Sequence, residues 1–163
     1  YLVQPKNVLL SVITSATNTS AIGDLIYGYL IVCLFCFSVS RLLLFTLFTI
    51  TGTVIVTAFS LLMGSLYFWF VRADAFGDNM VNCLISFSTY PDGIFQGTAR
   101  FLLYNIIPVG MAIYQPIHIM IEFDGRSLLI VLGYAALLTA AAVFVFYRGL
   151  RRYSSSNLME VRQ

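Results

Sequence analysis

Residues 42–71 carry no charged side chain and read LLLFTLFTITGTVIVTAFSLLMGSLYFWFV. A helix needs about 20 apolar residues to cross the hydrocarbon core of a bilayer, and this run exceeds that length. The run ends in four consecutive aromatic residues, at 67–70, which are typical of the membrane–water interface. This stretch therefore predicts a transmembrane helix rather than the core helix of a soluble domain.

The composition of the whole chain extends this prediction. Apolar residues make up 60% of the sequence and charged residues 10%, and the mean hydropathy is +0.90. Soluble domains carry about 25% charged residues. A chain of 163 residues also has too much surface to bury so many apolar side chains in one aqueous core. We predict an all-α integral membrane protein, a polytopic helix bundle surrounded by the lipid bilayer.

Hydropathy and breaks along the chain predict a single transmembrane domain over 1–163. Four spans are expected, at 22–40, 42–71, 73–91 and 127–147. Arg41 is expected to end the first span, and residues 148–163 form a polar tail. The chain starts at Tyr1 rather than at Met, and we expect an N-terminally truncated fragment of a longer protein.

The segment 94–121 is apolar enough to span, but Pro108, Gly110 and Pro116 interrupt it. Proline removes a backbone donor and kinks a helix, and lipid offers no replacement partner. Two short helices that enter and leave the membrane from the same side fit this pattern better than one straight span. We therefore predict a re-entrant extracellular element before the last span.

The distribution of basic residues sets the orientation, because cytoplasmic loops carry an excess of lysine and arginine. With a re-entrant element at 94–121, the residues on one side are Lys6, Arg72, Arg148, Arg151, Arg152 and Arg162, and those on the other are Arg41, Arg100 and Arg126. The first side is therefore predicted to be cytoplasmic, with both ends of the chain and the tail at 148–163 on it.

The first twenty residues differ from the spans. After Pro5 and Lys6, apolar residues recur at helical spacing, and polar residues occupy the opposite side. The apolar positions are Val8, Leu9, Val12 and Ile13, and the polar ones are Ser11, Thr14, Ser15 and Asn18. An amphipathic helix lying at the interface, or docked on a partner, has this pattern. The frayed end of a preceding span is the alternative.

Two stripes of small or polar residues run along predicted helices at steps of three or four. The first contains Thr46, Thr49, Thr53, Thr57, Ser60 and Gly64, and the second contains Asn79, Asn82, Ser86 and Thr89. Narrow, hydrogen-bonding faces pack helices closely in lipid, and amides are costly to place against it. The stripes are read either as bundle packing or as the wall of a translocation path for an amphipathic solute.

Catalytic patterns are not found. Metal-ligand spacing, a nucleophile with its base and a phosphate-binding glycine loop are all missing from the sequence. Cys33 and Cys36 have the spacing of a CxxC redox or metal pair, but they lie in an apolar run without a second pair and are interpreted as buried small apolar side chains. His118 is read as a structural histidine, with a proton relay as the alternative. We expect no catalytic residue, no metal and no nucleic-acid partner, and an intramembrane enzyme is disfavoured because the spans offer only Asp24 and Asp78 as ionisable groups.

Several short motifs occur in a recognisable order. They are LVQPKN at 2–7, Trp69, STYP at 88–91 with Ile94, Phe95 and Arg100, IIPV at 106–109, YQP at 114–116, and RGLRRYS at 148–154. This arrangement resembles the type-2 class of ABC exporter permeases. More narrowly, it is similar to a bacterial ABC-2 subfamily formerly described as a domain of unknown function. The resemblance covers nearly the whole chain.

The resemblance implies a division of labour between subunits. A separate cytoplasmic ABC ATPase would bind ATP and Mg²⁺, this chain would bind no cofactor, and two permeases, identical or different, would form the path as a dimer. The ATPase would seat a coupling helix formed by Pro5, Lys6, Val8, Leu9, Val12 and Ile13. Members of the family have six spans, so the first two are expected to be missing here.

The same resemblance assigns further positions. An extracellular gate motif would comprise Tyr90, Pro91, Arg100, Pro108, Tyr114 and Pro116, and the cytoplasmic end would comprise Arg148, Gly149, Arg152 and Tyr153. The implied location is the bacterial cytoplasmic (inner) membrane. Lipids, hydrophobic drugs and peptides all suit the walls as exported solutes. A non-transporting membrane scaffold or signalling protein is the alternative function.

Overall fold

The computed structural model describes residues 19–35, 37–70 and 73–160. Every regular element in these ranges is helical, which confirms the predicted all-α membrane bundle. The chain divides into two units, Tyr1–Leu47 and Phe48–Gln163.

The first unit contains helix α1, Thr19–Phe35, and the first turns of helix α2, Val39–Ser65. The ring of Tyr29 meets that of Phe45 edge-on at 5.0 Å, and its hydroxyl lies 3.0 Å from Thr46 Oγ1. Helix α2 starts earlier than predicted, because the Ser38 carbonyl accepts the first helical bond from Leu42 N at 2.9 Å. Arg41 therefore lies in the first turn of α2 instead of ending the preceding helix.

Helices α2 and α3 of the second unit are antiparallel. Helix α2 ends in a 3₁₀ turn, Leu66–Phe68, and α3 spans Ala73–Ser88. Gly77 near the start of α3 approaches Met63, close to the end of α2. Leu84, further along α3, shares a core with Phe59, which lies earlier in α2. These two contacts show that the chain reverses direction between α2 and α3.

Helix α6, Gly125–Glu160, runs parallel to α2. Ile55 of α2 shares a buried cluster with Ala135, and Phe68 meets Phe146 with ring centroids 5.9 Å apart. The second contact lies closer to the C-terminal end than the first in both helices, so the two helices run in the same direction. The end of α2, the start of α3 and the Phe146 region of α6 therefore lie at one end of this unit.

The start of α6 is capped by Asp124. Its carboxylate accepts hydrogen bonds from the backbone N–H groups of Arg126 and Ser127 and from the Ser127 hydroxyl. These bonds, the hydroxyl first among them, lower the pKa of Asp124. The carboxylate satisfies donors that the first helical turn leaves unpaired.

Between α3 and α6 the chain forms a bent pair of helices. Helix α4 is Gly97–Asn105, a π-helical segment is Gly110–Tyr114, and α5 is Gln115–Ile121. The two arms of the pair are bent by 78° at the break. We call this pair the outer element, because the sequence predicts it to be extracellular.

The π-helical segment ends two residues before Pro116. The N–H of Gln115 bonds to the Gly110 carbonyl, five residues back, as in a π-helical turn. Proline at 116 has no N–H, so the Ala112 carbonyl cannot accept the bond that an ordinary α-helix would give it. The Ala112 carbonyl faces Gly52 in the middle of α2, where an added Cβ would lie 3.1 Å from the oxygen. The outer element therefore reaches half-way along α2.

By length and composition, two helices in the described residues are long and apolar enough to cross a membrane. They are Val39–Phe68 and Gly125–Arg151. The bent pair adds a third if it is counted as one span, and the apolar helix at Ala21–Phe35 is shorter. The four-span count and the re-entrant path of the outer element stay predictions.

Gly149 provides a test of the contact between α6 and the end of α2. A Cβ at Gly149 would lie 2.3 Å from Phe68 Cδ2, whereas a Cβ at Gly133 of the same helix meets nothing within 4 Å. We expect Gly149→Ala to destabilise the protein by about 1–3 kcal/mol through overpacking. Gly133→Ala should leave stability unchanged or slightly raised. Thermal unfolding in detergent measures both, and equal stabilities would contradict this packing.

Candidate translocation groove and outer element

The two polar stripes meet where α2 ends and α3 begins. Ser60 and Gly64 of the first stripe and Asn82 of the second line one groove with a volume of about 370 Å³. The other lining residues are Met63, Tyr67, Gly77, Asp78 and Val81. Asp78 is the only charged side chain among them. The groove therefore joins an apolar wall to hydroxyl, amide and carboxylate groups, as a site for an amphipathic molecule requires.

The structure does not gather every stripe residue into this groove. Thr46 belongs to the first unit, where its hydroxyl donates to the Leu42 carbonyl at 2.9 Å. The Thr53 hydroxyl donates to the Thr49 carbonyl at 2.8 Å. Such bonds satisfy the hydroxyl within its own helix. Thr57 is half-buried, and Asn79 and Ser86 are exposed on α3 outside the groove lining.

Tyr114 is the centre of the outer element. It is 3% exposed, and its hydroxyl donates to the Phe87 carbonyl at the end of α3, at 2.7 Å. Its ring stacks on Phe95 at 6.4 Å, and the ring of Tyr104 lies 6.3 Å away. Gly110 lies under the Tyr104 ring, where an added Cβ would be 2.4 Å from Cγ. These contacts hold the break against α3.

The prolines of the predicted gate motif have structural positions that match their chemistry. Pro108 is buried in the break itself, and Pro116 is buried beside the π-helical segment. Pro91 precedes a 3₁₀ turn, Asp92–Ile94, in extended conformation, and Tyr90 is exposed. Of these four residues, the three prolines therefore shape the path of the chain.

Asp92 is a site residue that the sequence did not single out. Its Oδ2 accepts hydrogen bonds from Arg100 Nη2 at 3.1 Å and Tyr104 Oη at 3.3 Å, and His118 Nε2 lies at 3.2 Å. Arg100 belonged to the predicted gate motif, but its partner did not. An acid directly after Tyr90–Pro91, eight positions before an arginine, is the only sequence signal for this arrangement. His118 is exposed and contacts this carboxylate, and its interpretation as a structural histidine stays a prediction.

The opposite end of the unit is defined by packing. Gly149 is buried against Phe68, and Arg148 is exposed. Arg152 and Tyr153 belong to α6, but their side chains lie outside the described part of the chain. The predicted coupling residues also lie outside it: Pro5, Lys6, Val8, Leu9, Val12 and Ile13.

Cys33 is free and exposed rather than buried, and Cys36 lies outside the described residues. Within the described ranges no three His, Cys, Asp or Glu residues are grouped as metal ligands would be.

The Tyr114 hydroxyl offers a second test. Tyr114→Phe removes one buried hydrogen bond while leaving the ring stack in place. The Phe87 carbonyl keeps a bond from Tyr90 N, so no acceptor is stranded, and we expect a loss of about 1 kcal/mol. Tyr147→Phe, at an exposed tyrosine on α6, is the matched control. Equal unfolding temperatures for the two variants in detergent would contradict the assigned bond.

The helical fold, the apolar surface and the polar groove together define an integral membrane protein built around packed and broken helices. A family model described as "ABC-2 family transporter protein" matches residues 1–157. The chain therefore belongs to the ABC-2 transporter family, whose membrane domains are permease components of ABC transporters. This confirms the resemblance stated from the sequence. No curated protein and no solved structure matches the chain.

Proposed function

We propose that this chain is a permease subunit of an ATP-driven exporter, and that a dimer of such subunits moves an amphipathic or hydrophobic solute across the bacterial inner membrane. The observation that carries the proposal is the groove between α2 and α3. Two stripes from separate helices contribute Ser60, Gly64 and Asn82 to it. A scaffold has no need for a polar groove along its helices, whereas a permease does.

The groove lies at the end of the unit where the basic residues are predicted to be cytoplasmic. Phe68, which follows the groove in α2, packs on α6 beside Arg148 and Gly149. A solute would enter here from the cytoplasm or the inner leaflet. The outer element closes against α2 and α3 further along the same helices, so it would gate the exit. Alternating access then requires these helices to move against each other as packed bodies.

ATP and Mg²⁺ would bind to a separate cytoplasmic ATPase, and the amphipathic segment beginning at Pro5 would dock on that subunit. Closure of the ATPase dimer would push this segment and shift α2 against α3. The family supports the partnership, since ABC-2 permeases generally work with an ABC ATPase.

Docking can be tested by charge placed on either face of the amphipathic segment. Val12→Asp puts a carboxylate on the apolar face, and Thr14→Asp puts the same charge on the polar face. We expect Val12→Asp to abolish co-purification of the ATPase, because a charge cannot be buried unpaired in an apolar groove. Thr14→Asp should retain it. If Val12→Asp retained the ATPase and full export, the coupling assignment would be wrong.

Transport through the groove can be tested by filling it. Gly64 lines the groove and Gly133 does not, and neither has a neighbour within 4 Å of an added Cβ. We expect Gly64→Leu to reduce export of a fluorescent amphipathic dye by about tenfold, which corresponds to about 1.4 kcal/mol in the barrier. Gly133→Leu should transport normally. The assay uses inverted membrane vesicles with ATP and a co-expressed ABC ATPase that co-purifies with the permease.

Three results separate the alternatives. ATP-dependent dye export that Gly64→Leu reduces by about tenfold supports the groove as the path. Export unaffected by Gly64→Leu places the path elsewhere. ATPase association that fails for the parent protein under all conditions favours the scaffold reading.

A further inference from the structure

Asp92 connects three elements through one oxygen atom. The residue lies in the 3₁₀ turn after α3, Arg100 and Tyr104 lie in α4, and His118 lies in α5. All three side chains contact Oδ2, at 3.1–3.3 Å. Because α4 and α5 are the two arms of the outer element, a single carboxylate oxygen ties both arms to the end of α3.

The Asp92 side chain is more buried than Arg100 and His118, which contact it. The Asp92 side chain is 14% exposed, whereas Arg100 and His118 are 55% and 56% exposed. The second carboxylate oxygen, Oδ1, is buried and accepts no hydrogen bond from the described residues. A mostly buried carboxylate depends on its donors, since an unpaired buried charge is costly. Two of its donors, Arg100 and His118, reach in from solvent and are free to leave, whereas Tyr104 is half-buried against the core. The connection is therefore reversible from outside.

Under this carboxylate the outer element rests on the core of the second unit. Leu103 and Val109 are buried together with Phe59 of α2 and Leu84 of α3. Val109 is 0% exposed and lies at the break between the arms. An arm that swung away from Asp92 would carry these side chains off α2 and α3, and would open a route from the groove side of the helices to the outside.

We propose that Asp92 is a positioning residue that latches the outer element in its closed state. The latch deepens the proposed export function and rests on it for its role in gating. Opening requires Oδ2 to lose its three donors together, which makes the element two-state rather than gradually deformable. Each exposed ion pair alone would contribute little because water screens it. The effect comes from their convergence on one buried acceptor.

The experiment measures opening by thiol accessibility in native membranes. Val109→Cys is introduced after Cys33, Cys36 and Cys83 are replaced by alanine, and labelling by a membrane-impermeant maleimide is followed over time. We expect Asp92→Asn to accelerate labelling about tenfold, because the charge that holds the donors is lost. Asp92→Glu keeps the charge and should stay within about threefold of the parent. Equal rates for the parent and Asp92→Asn would overturn the latch.

A second reporter separates opening from unfolding. Ala142→Cys provides this reporter, because Ala142 is 0% exposed in α6 and is not part of the outer element. Labelling there should stay slow in Asp92→Asn. If both reporters accelerated equally, Asp92 would be a residue of general stability and the latch would be rejected.

These measurements need no ATP, ATPase or transported solute. A failure of the latch would therefore leave the dye-export and co-purification results unchanged. A failure of export with intact latch kinetics would instead remove the proposed function and leave the gate without its role.

Discussion

The arrangement of the second unit centres on the contact between the outer element and α2. The Ala112 carbonyl has no N–H to meet at Pro116, and Gly52 of α2 leaves room for that carbonyl to approach closely. The outer element therefore lies against the middle of α2. Two residues after Ala112, the Tyr114 hydroxyl bonds the Phe87 carbonyl at the end of α3. The sequence predicts that this element enters the bilayer, where lipid offers no hydrogen-bond partners, and contacts of this kind would cover its backbone groups there.

At the end of the unit opposite Asp92, helix packing depends on side-chain size rather than on polarity. Phe68 occupies the space that a side chain at Gly149 would need, so α6 crosses the end of α2 at close range. In lipid, the hydrophobic effect does not drive helices together, so they associate through close packing. Small residues at the interface allow the backbones to approach closely enough for this packing. The two ends thus differ in chemistry. One is a dry aromatic contact, and the other is a hydrogen-bonded cluster around a carboxylate.

Because the two ends differ in this way, they suit different roles in the proposed transporter. The dry end, next to the groove, suits a rigid body that receives force from an ATPase. The end at Asp92 is held by reversible polar contacts, which suit a gate. Between them, α2 and α3 provide hydroxyl and amide groups, of which Ser60 and Asn82 lie in one groove. An exporter needs such an ordering of entry, path and exit along the same helices.

Sequence alone determined the class of this protein. The uncharged run at 42–71 is long enough to cross a membrane, and Pro108 predicted the break in which it lies, because both conclusions follow from local chemistry. Pro116 was also predicted to interrupt the segment, but it lies within the helical stretch Gly110–Ile121. The motifs also placed the chain in its family, which the match over 1–157 confirms. Helix ends were less predictable: Arg41 falls inside α2, because a backbone bond at Ser38 starts that helix earlier than hydropathy suggests. Only the tertiary structure decided which polar residues meet. Thr53 and Ser60 look alike in the stripe, yet one bonds its own helix and the other lines the groove. Asp92 and His118 are 26 positions apart in sequence, and the 78° bend between the two arms brings His118 to the carboxylate oxygen that also binds Arg100.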